Sequence, residues 1–550
     1  MLEPLPASLS GRPGLCRAGL IKRTSMIERS VKMKKPGFGT ISRRLFLCGL
    51  AVWMMWVVPG CHKDPVEEPE EKPLVEEIVP EPGMDLYGLL TDESGNPVAG
   101  VVVSDGFQCT VTNAKGIYQM KKNAGAEFVH YSVPSGYAVP TASTTVQMAM
   151  FYASTGTKRR HDFQLKKLPS PETEFTLVCI GDPQVTSNDE VNRFKYETMD
   201  DLKTFTNSLQ GSVYGLVMGD VTGDKPVLFD QMKALMGSSR MPVFTTIGNH
   251  DKVPGTQSSQ PRTTGDFTRV FGPLNYSFNR GDVHFVCLDN VIYTNSSDYG
   301  GGFTTSQIEW LKQDLSYVPK NKMVIVYFHI PVRGTSGIAN RSQLLSALQG
   351  FAEVHLMSGH THYTENYLHT SPVNAFEHVH AAACGAWWRS TINGDGTPNG
   401  YAVYRVSGNS LKEWYYKPVR YGRDYQIRLH RGDASFGGPY GYFNYNQGSN
   451  SVIANVWNAD SQWKVEAFEN GVSKGALTPL SASMRDAWSL GYHIGVLNRN
   501  PDNYSPTCKH LYLYQMVNPE ATLEIRATDR FGTVYTQNAI ISDFSTAKGY

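Results

Sequence analysis

Met241-Pro242-Val243-Phe244-Thr245-Thr246-Ile247, followed by Gly248-Asn249-His250-Asp251, is the stretch on which the fold turns. The run is short, apolar and β-branched, and it lies between a proline and a glycine. It therefore reads as a buried strand ending in a tight loop. That loop brings a carboxamide, an imidazole and a carboxylate to one point. Open α/β sheets carry their chemistry at the carboxyl ends of their strands, so the other strand ends decide whether this loop stands alone.

The other strand ends repeat the pattern. Phe175 to Ile180 runs into Gly181-Asp182-Pro183-Gln184, and Val213 to Met218 into Gly219-Asp220-Val221-Thr222-Gly223-Asp224. Val283 to Leu288 leads to Asp289-Asn290, Met323 to Phe328 to His329, and Val354 to Ser358 to Gly359-His360-Thr361-His362. Residues 190–209 space Phe194, Met199, Leu202, Phe205 and Leu209 along one helical side, and 305–316 do the same with Ile308, Leu311 and Leu315. Apolar strands alternating with helices indicate an α/β layered fold. Ala402 to Val406 and Leu411 to Tyr416, joined by Ser407-Gly408-Asn409, read as a hairpin closing the same sheet.

The flanks differ in character. Residues 84–168 hold short β-branched runs such as Val101-Val102-Val103, separated by turns such as Glu93-Ser94-Gly95-Asn96-Pro97, which predicts a small all-β sandwich. Residues 419–550, with a start as early as about 385, alternate runs such as Val452 to Trp457 and Trp463 to Phe468 with polar turns. They predict a C-terminal, mainly β domain beyond a catalytic domain of residues 174–418.

The first 60 residues carry ten Lys/Arg against two Asp/Glu, and the rest carries 41 against 48. The net +1 therefore divides into +8 and −7. A mildly acidic body gives no electrostatic footprint for nucleic acid. Leu45 to Val58 is an apolar run behind Arg43-Arg44, too short for a comfortable membrane span, and it fits a secretory signal within residues 1–60. Met33 is the more natural start. The run ends Val57-Val58-Pro59-Gly60-Cys61, which resembles a bacterial lipobox with Cys61 as the lipidated residue. Residues 61–83 follow, with eight acidic residues and five prolines between 62 and 82, the composition of a solvated tether. The expected location is the bacterial cell envelope, with the membrane as a partner through the lipid anchor. Beyond Cys61 the cysteines at 109, 179, 287, 384 and 508 form no framework. Cys179 and Cys287 read as buried small hydrophobes.

Carboxylates, carboxamides and imidazoles converge either as a hydrogen-bonded polar cluster or around metal. Burying so many of them without a partner costs several kcal/mol each. Mixed oxygen and nitrogen ligation without thiolate suits Mn, Fe, Zn or Mg.

The order Gly181-Asp182-Pro183-Gln184, Gly219-Asp220, Gly248-Asn249-His250-Asp251, His329 and Gly359-His360-Thr361-His362 resembles that of the calcineurin-like metallophosphoesterases across 175–415. The flanks resemble a bacterial three-domain subgroup of that family. The resemblance implies a layered β-sandwich flanked by helices, two divalent metal ions and hydrolysis of a phosphate mono- or diester by a bridging hydroxide. It implies that Asp220 bridges the metals. Asp182, Gln184 and His362 complete one site, and Asn249, His329 and His360 the other. It implies that His250 protonates the leaving oxygen and that Asp251 orients His250. Gln184 departs from the family, which usually has His there, and either ligates weakly or holds a water. Asp224 lies one residue beyond the usual Gly-Asp-x-x-Asp spacing and reads as loop or helix-cap chemistry.

Substrate contact is a second expectation for Asn249. It competes with packing for His378 and His380, and with core burial for Trp387 and Trp388. Asp289-Asn290 reads as support for the site or as a turn. The polar stretch 252–266 is the candidate rim. A reading from another class is a surface protein with an impaired phosphoesterase site whose β domains contact glycan.

Overall fold

The computed structural model describes residues 77–257, 260–334, 337–499 and 507–550. The signal segment 1–60, Cys61 and most of the tether lie outside the described residues.

Two sheets face one another at the centre. The first has the order Val243–Thr245, Ser212–Val217, Glu174–Ile180, Gly400–Ser407, Ser410–Pro418; the second has the order Tyr276–Arg280, Val283–Cys287, Met323–Tyr327, Glu353–Ser358, Ala375–Val379, Glu365–His369. Strands 174–180, 212–217 and 243–245 run parallel, as do 283–287, 323–327, 353–358 and 375–379. The parallel strands are buried along nearly their whole length, as central strands covered on both faces must be. Leu177, Cys179, Leu216, Phe244 and Tyr404 of the first sheet share one core with Phe285, Cys287, Ile325, Tyr327 and Met357 of the second. Helices cover the outer faces. Asn188–Phe194 and Asp200–Ser208, joined by a π-helical turn at Lys195–Met199, pack with Phe229–Met236 on the first sheet. Thr305–Ser316, opened by a Thr304/Gln307 capping box, packs with Arg341–Ala347 on the second. The expected layered α/β core is thus observed, and the hairpin at 407–410 lies on the first sheet as read. The stretch 252–266 departs from a plain loop: it contains the hairpin Val253–Gln257/Gln260–Thr263.

The N-terminal region folds as two small sheets, of three and four strands. Its core is continuous with the central one, because Leu86, Val103, Val129 and Phe151 join the cluster that holds Phe175 and Phe278. It also covers an edge of each central sheet. Gln147 and Ala149 exchange backbone bonds of 2.7 and 2.9 Å with Val243, and Val133 accepts at 2.8 Å from Asn279. Edge strands left open are a liability, so this region closes the sandwich. The C-terminal region packs two four-stranded sheets around Leu429, Val452, Ala467 and Ile525.

One buried group joins the N-terminal region to the central sheets. Arg280, fully buried, donates Nε–H at 2.9 Å to Glu172, and its guanidinium also donates to the carbonyls of Tyr137 and Ser135. Tyr214 donates to the other Glu172 oxygen at 2.9 Å. Arg280→Ala would leave Glu172 buried and uncompensated, a change that costs about 3–5 kcal/mol in such settings. A large fall in the urea midpoint is expected. An unchanged midpoint would remove this ion pair from the account of how the N-terminal region is held.

Candidate metal centre

The strand ends meet where both parallel sets terminate. The loops there pass close enough that side chains leave no room for Cβ atoms. A Cβ on Gly248 would lie 2.1 Å from Asp220 Oδ1, and one on Gly359 would lie 2.3 Å from Asp182 Oδ2. The glycines of Gly-Asn-His-Asp and Gly-His-x-His are therefore steric requirements of the cluster. Asp182, Gln184, Asp220, Asp224, His360 and His362 all have positive φ, between 34° and 68°. Non-glycine residues rarely adopt this region, and such strain concentrates at functional sites.

Asp220 sits at the middle, 1% exposed. Its Oδ1 accepts the His250 backbone N–H at 2.9 Å, and its Oδ2 lies 3.3 Å from His329 Nε2 and 3.3 Å from Gln184 Nε2. On one side, His329 Nε2, His360 Nδ1 and Asn249 Oδ1 lie within 2.9–3.2 Å of one another. His329 Nδ1–H donates at 2.7 Å to the Met218 carbonyl, which leaves Nε2 as the lone-pair nitrogen. On the other side, His362 Nε2 is 3.6 Å from Asp182 Oδ1, buried and without a hydrogen-bond partner. The donor atoms form two groups, Asp220/His329/His360 and Asp182/Asp220/His362, each within 4.8 Å, that share Asp220. Lone pairs gathered this closely repel unless a cation lies among them. The orphaned His362 nitrogen and the shared carboxylate fit two divalent ions. The Gln184 amide is as close to Asp220 as His329 is, so a flipped amide presents its oxygen beside the shared carboxylate.

Electrostatics follow from burial and crowding. Burial raises the Asp220 carboxyl, but His329 and the other imidazoles outweigh this and hold it below the usual range. Burial lowers His329, yet the charge of Asp220 carries it up to about 9. Burial and the neighbouring His329 push His360 down to about 3.

The structure corrects the reading of Asp251. Its carboxylate does not meet His250. It accepts the backbone N–H groups of Val221, Thr222 and Gly248 at 3.0–3.1 Å and ties two ligand loops together. Burial, then the charge of Asp220, raises its pKa, which further unfits it to support a charged imidazole. The partner of His250 is Asp224, with Oδ2 at 2.7 Å from Nδ1. Arg262 in turn reaches Asp224 Oδ1 at 3.3 Å. His250 is 22% exposed at the side chain, so it stands at the mouth of the cluster. Burial lowers its pKa, but the Asp224 hydrogen bond and the charges of Asp220 and Asp224 together raise it above the ordinary value.

His380 is also corrected. Its Nδ1 donates to the Ser358 carbonyl at 2.8 Å and its Nε2 meets the Tyr404 hydroxyl at 2.9 Å, so both nitrogens are engaged in the core. His378 is likewise held between His355 and Asn366. Trp388 is 1% exposed and packs against His362 from inside. Trp387 is half-buried, with its ring centroid 5.1 Å from His250 and 5.6 Å from His362. Asn290 supports the cluster, accepting the N–H groups of His329 and Ile330 at 3.1 and 2.9 Å, while Asp289 takes the Lys252 ammonium at 2.7 Å. Sequence reasoning missed Arg262, Tyr293 and Tyr299. Tyr293 donates to the Asn249 carbonyl at 3.0 Å, and the Tyr299 ring lies 5.9 Å from His360. Only the placement of Arg262 in the expected rim stretch hinted at them.

Family models match the chain in three consecutive stretches. The model described as calcineurin-like phosphoesterase matches residues 175–364, that of the N terminal of calcineurin-like phosphoesterase matches 84–168, and that of its C terminal matches 377–535. No curated protein matches the chain. Among solved structures, a dimetal phosphatase from Danio rerio is 15% identical over 46% of this chain and 97% of its own, with a TM-score of 0.31. A purple acid phosphatase from yellow lupin (Lupinus luteus) seeds is 14% identical over 46% and 52%, with a TM-score of 0.31. A 5'-nucleotidase precursor from Thermus thermophilus is 12% identical over 66% and 88%, with a TM-score of 0.27. With its N-terminal, catalytic and C-terminal regions matched in order, the chain belongs to the calcineurin-like phosphoesterases.

Proposed function

We propose that the chain hydrolyses a phosphate mono- or diester at the Asp182–His362 cluster, with His250 as the proton donor to the leaving oxygen. The observation that carries this is the pair of donor groups sharing Asp220 beside an imidazole that is not part of either group. Asp182, Gln184 and His362 would hold one divalent ion, Asn249, His329 and His360 the other, and Asp220 would contribute to both groups. When bound, the two ions supply Lewis acidity toward phosphoryl oxygens and lower the pKa of water. The chain does the rest. A water oxygen bonds to phosphorus as the bond to the ester oxygen breaks, and the proton that the water loses passes to solvent, from which His250 is reprotonated after the product leaves. His250, held at Nδ1 by Asp224, gives that leaving oxygen its Nε2 proton. Hydrolysis of aryl phosphate mono- and diesters in Mn²⁺, beside the metal content of the purified chain, tests the proposal. Absence of both turnover and metal would sink it.

Gln184 tunes the first site. A neutral carboxamide oxygen is a weaker ligand than imidazole for Zn or Fe. Gln184→His should tighten metal retention on that side by about tenfold or more, the scale on which ligand-sphere changes act. Competition with a chelator measures it. Retention no better than that of the natural chain would mean that residue 184 does not ligate.

We further infer export and anchoring through Cys61, supported by the basic and apolar residues 43–58 before it. Cys61→Ala should move the protein from the detergent-extracted membrane fraction to the soluble one. Unchanged membrane association would exclude a lipid on this residue. Among the described residues no helix is long and apolar enough to cross a membrane.

A further inference from the structure

If His250 protonates the leaving oxygen, the group attached to that oxygen lies beyond His250, and the ring standing there is Trp387. It packs edge-on to His250, with centroids 5.1 Å apart and planes at 70°, and is tilted against His362. A second ring beside the cluster is Tyr299, against His360. Among the described residues the ring that packs on the proton donor is Trp387, whereas Tyr299 packs on His360.

Trp387 lies in a short segment, 385–391, that the catalytic region does not hold by itself. Arg389 has a left-handed backbone, φ 57°, and its carbonyl accepts the Tyr550 N–H at 2.9 Å. Ser390 pairs with Gly549 as an antiparallel bridge, and its hydroxyl meets His493 Nε2 at 2.7 Å. Thr391 N–H donates to the Lys548 carbonyl at 2.9 Å, and Lys548 N–H donates back to Thr391 Oγ1 at 2.9 Å. Residues 548–550 thus pair antiparallel with 389–391 through an isolated bridge and its flanking hydrogen bonds. Tyr550 is then fixed from the other side, its hydroxyl on Glu197 and the Arg193 guanidinium 4.1 Å above its ring. Helix Asn188–Phe194, the turn after it and the C-terminal region grip one segment between them, and Trp387 is what that segment presents to the site.

We propose that Trp387 is the specificity-determining surface for the leaving group, favouring esters of planar or apolar alcohols. Residues 548–550, with Tyr550 as the positioning residue, set its place against His250. This rests on the phosphoester reading with His250 as the acid. It gives the C-terminal region a role in selectivity: it completes the rim of a site whose donor atoms all come from elsewhere in the chain. The chemistry that recognises a ring face is stacking, so the class named is aryl or nucleoside-like phosphate esters rather than small alkyl ones.

The experiment compares the full chain with Trp387→Ala, Tyr550→Ala, Tyr550→Phe and the Trp387→Ala/Tyr550→Ala double variant. Phenyl and methyl phosphate esters are used, as mono- and diesters in Mn²⁺. Trp387→Ala should reduce kcat/KM for the phenyl ester about tenfold more than for the methyl ester, the loss appearing mainly in KM, as aromatic stacking contributes on this scale. Tyr550→Ala should reproduce the selective part of that loss, and Tyr550→Phe, which keeps the ring under Arg193, should restore it. The double variant should be no more selective in its loss than Trp387→Ala alone, since Tyr550 acts through Trp387. Equal losses for phenyl and methyl esters, or losses that add in the double variant, would overturn the proposal. A natural chain with no turnover of any ester overturns the phosphoester reading and this one with it. Turnover with a phenyl preference untouched by Trp387→Ala overturns only this one.

Discussion

Asp220→Asn is expected to lower phosphoester turnover by about 10³-fold or more, because Lewis-acid stabilisation of the transition state is worth several kcal/mol and each 1.4 kcal/mol is a decade. No other residue belongs to both donor groups. The substitution keeps the shape of the side chain, and one carbonyl oxygen remains to accept the His250 N–H now 2.9 Å from Oδ1. It removes the negative charge that faces His329 at 3.3 Å and with it the bridge between the two groups. The fold should survive. The residue is 1% exposed, and His329, deprived of the charge that raises its pKa, is free to become neutral while still donating to the Met218 carbonyl. Metal bound per chain, counted by elemental analysis after dialysis, should fall in the same variant whose circular dichroism and urea midpoint stay close to those of the natural chain. Loss of activity with full metal content would mean that Asp220 does not bridge. Full activity would mean that the centre lies elsewhere.

Most of this site was legible because each donor follows an apolar β run, and polar groups after a buried strand have few places to go. Asp182, Asp220, Asn249, His329, His360 and His362 each stand at such a strand end, and the structure brings these side chains together. The misreading of Asp251 has a physical cause. Adjacent residues in a tight loop project in different directions, and here His250 turns to the mouth while Asp251 turns inward to three backbone N–H groups. Its replacement, Asp224, is remote in sequence, and only folding discloses a contact of that span. The strands Tyr276–Arg280 and Glu365–His369 at the edges of the second sheet were missed because Ser, Asn and Arg in the one and Glu, Asn and His in the other dilute the apolar pattern, although the first is almost wholly buried and only the second is partly exposed. The helix at 188–208 was visible by its apolar spacing, but the π turn at Lys195–Met199 within it shifts the register in a way periodicity does not report. The cover that the N-terminal region lays over both sheet edges left no trace in composition, since it is made by backbone groups.

His250→Ala should cost about 10²–10⁴-fold in kcat for esters of poor leaving groups, the range that positioned proton donors contribute. The cost should be far smaller for p-nitrophenyl esters, whose leaving oxygen departs without a proton. That contrast separates a proton donor from a residue that merely shapes the site, because a shape defect lowers both. Asp224→Asn supplies the second half of the argument. His250 keeps its raised pKa because the Asp224 hydrogen bond and the charges of Asp220 and Asp224 together outweigh burial. A donor works when protonated, so activity is present below this raised pKa and is lost as pH rises through it. Replacing the Asp224 carboxylate by a neutral amide removes part of what holds the pKa up. The alkaline limb of the rate profile should therefore move to lower pH, with kcat near the optimum reduced less than in His250→Ala. Asp251→Asn should leave that limb in place, since the carboxylate of Asp251 does not meet the imidazole. If Asp251→Asn moved the limb and Asp224→Asn did not, the pairing of His250 with Asp224 would be wrong in the working enzyme. If His250→Ala slowed p-nitrophenyl and alkyl esters equally, His250 would be placing the substrate rather than protonating it.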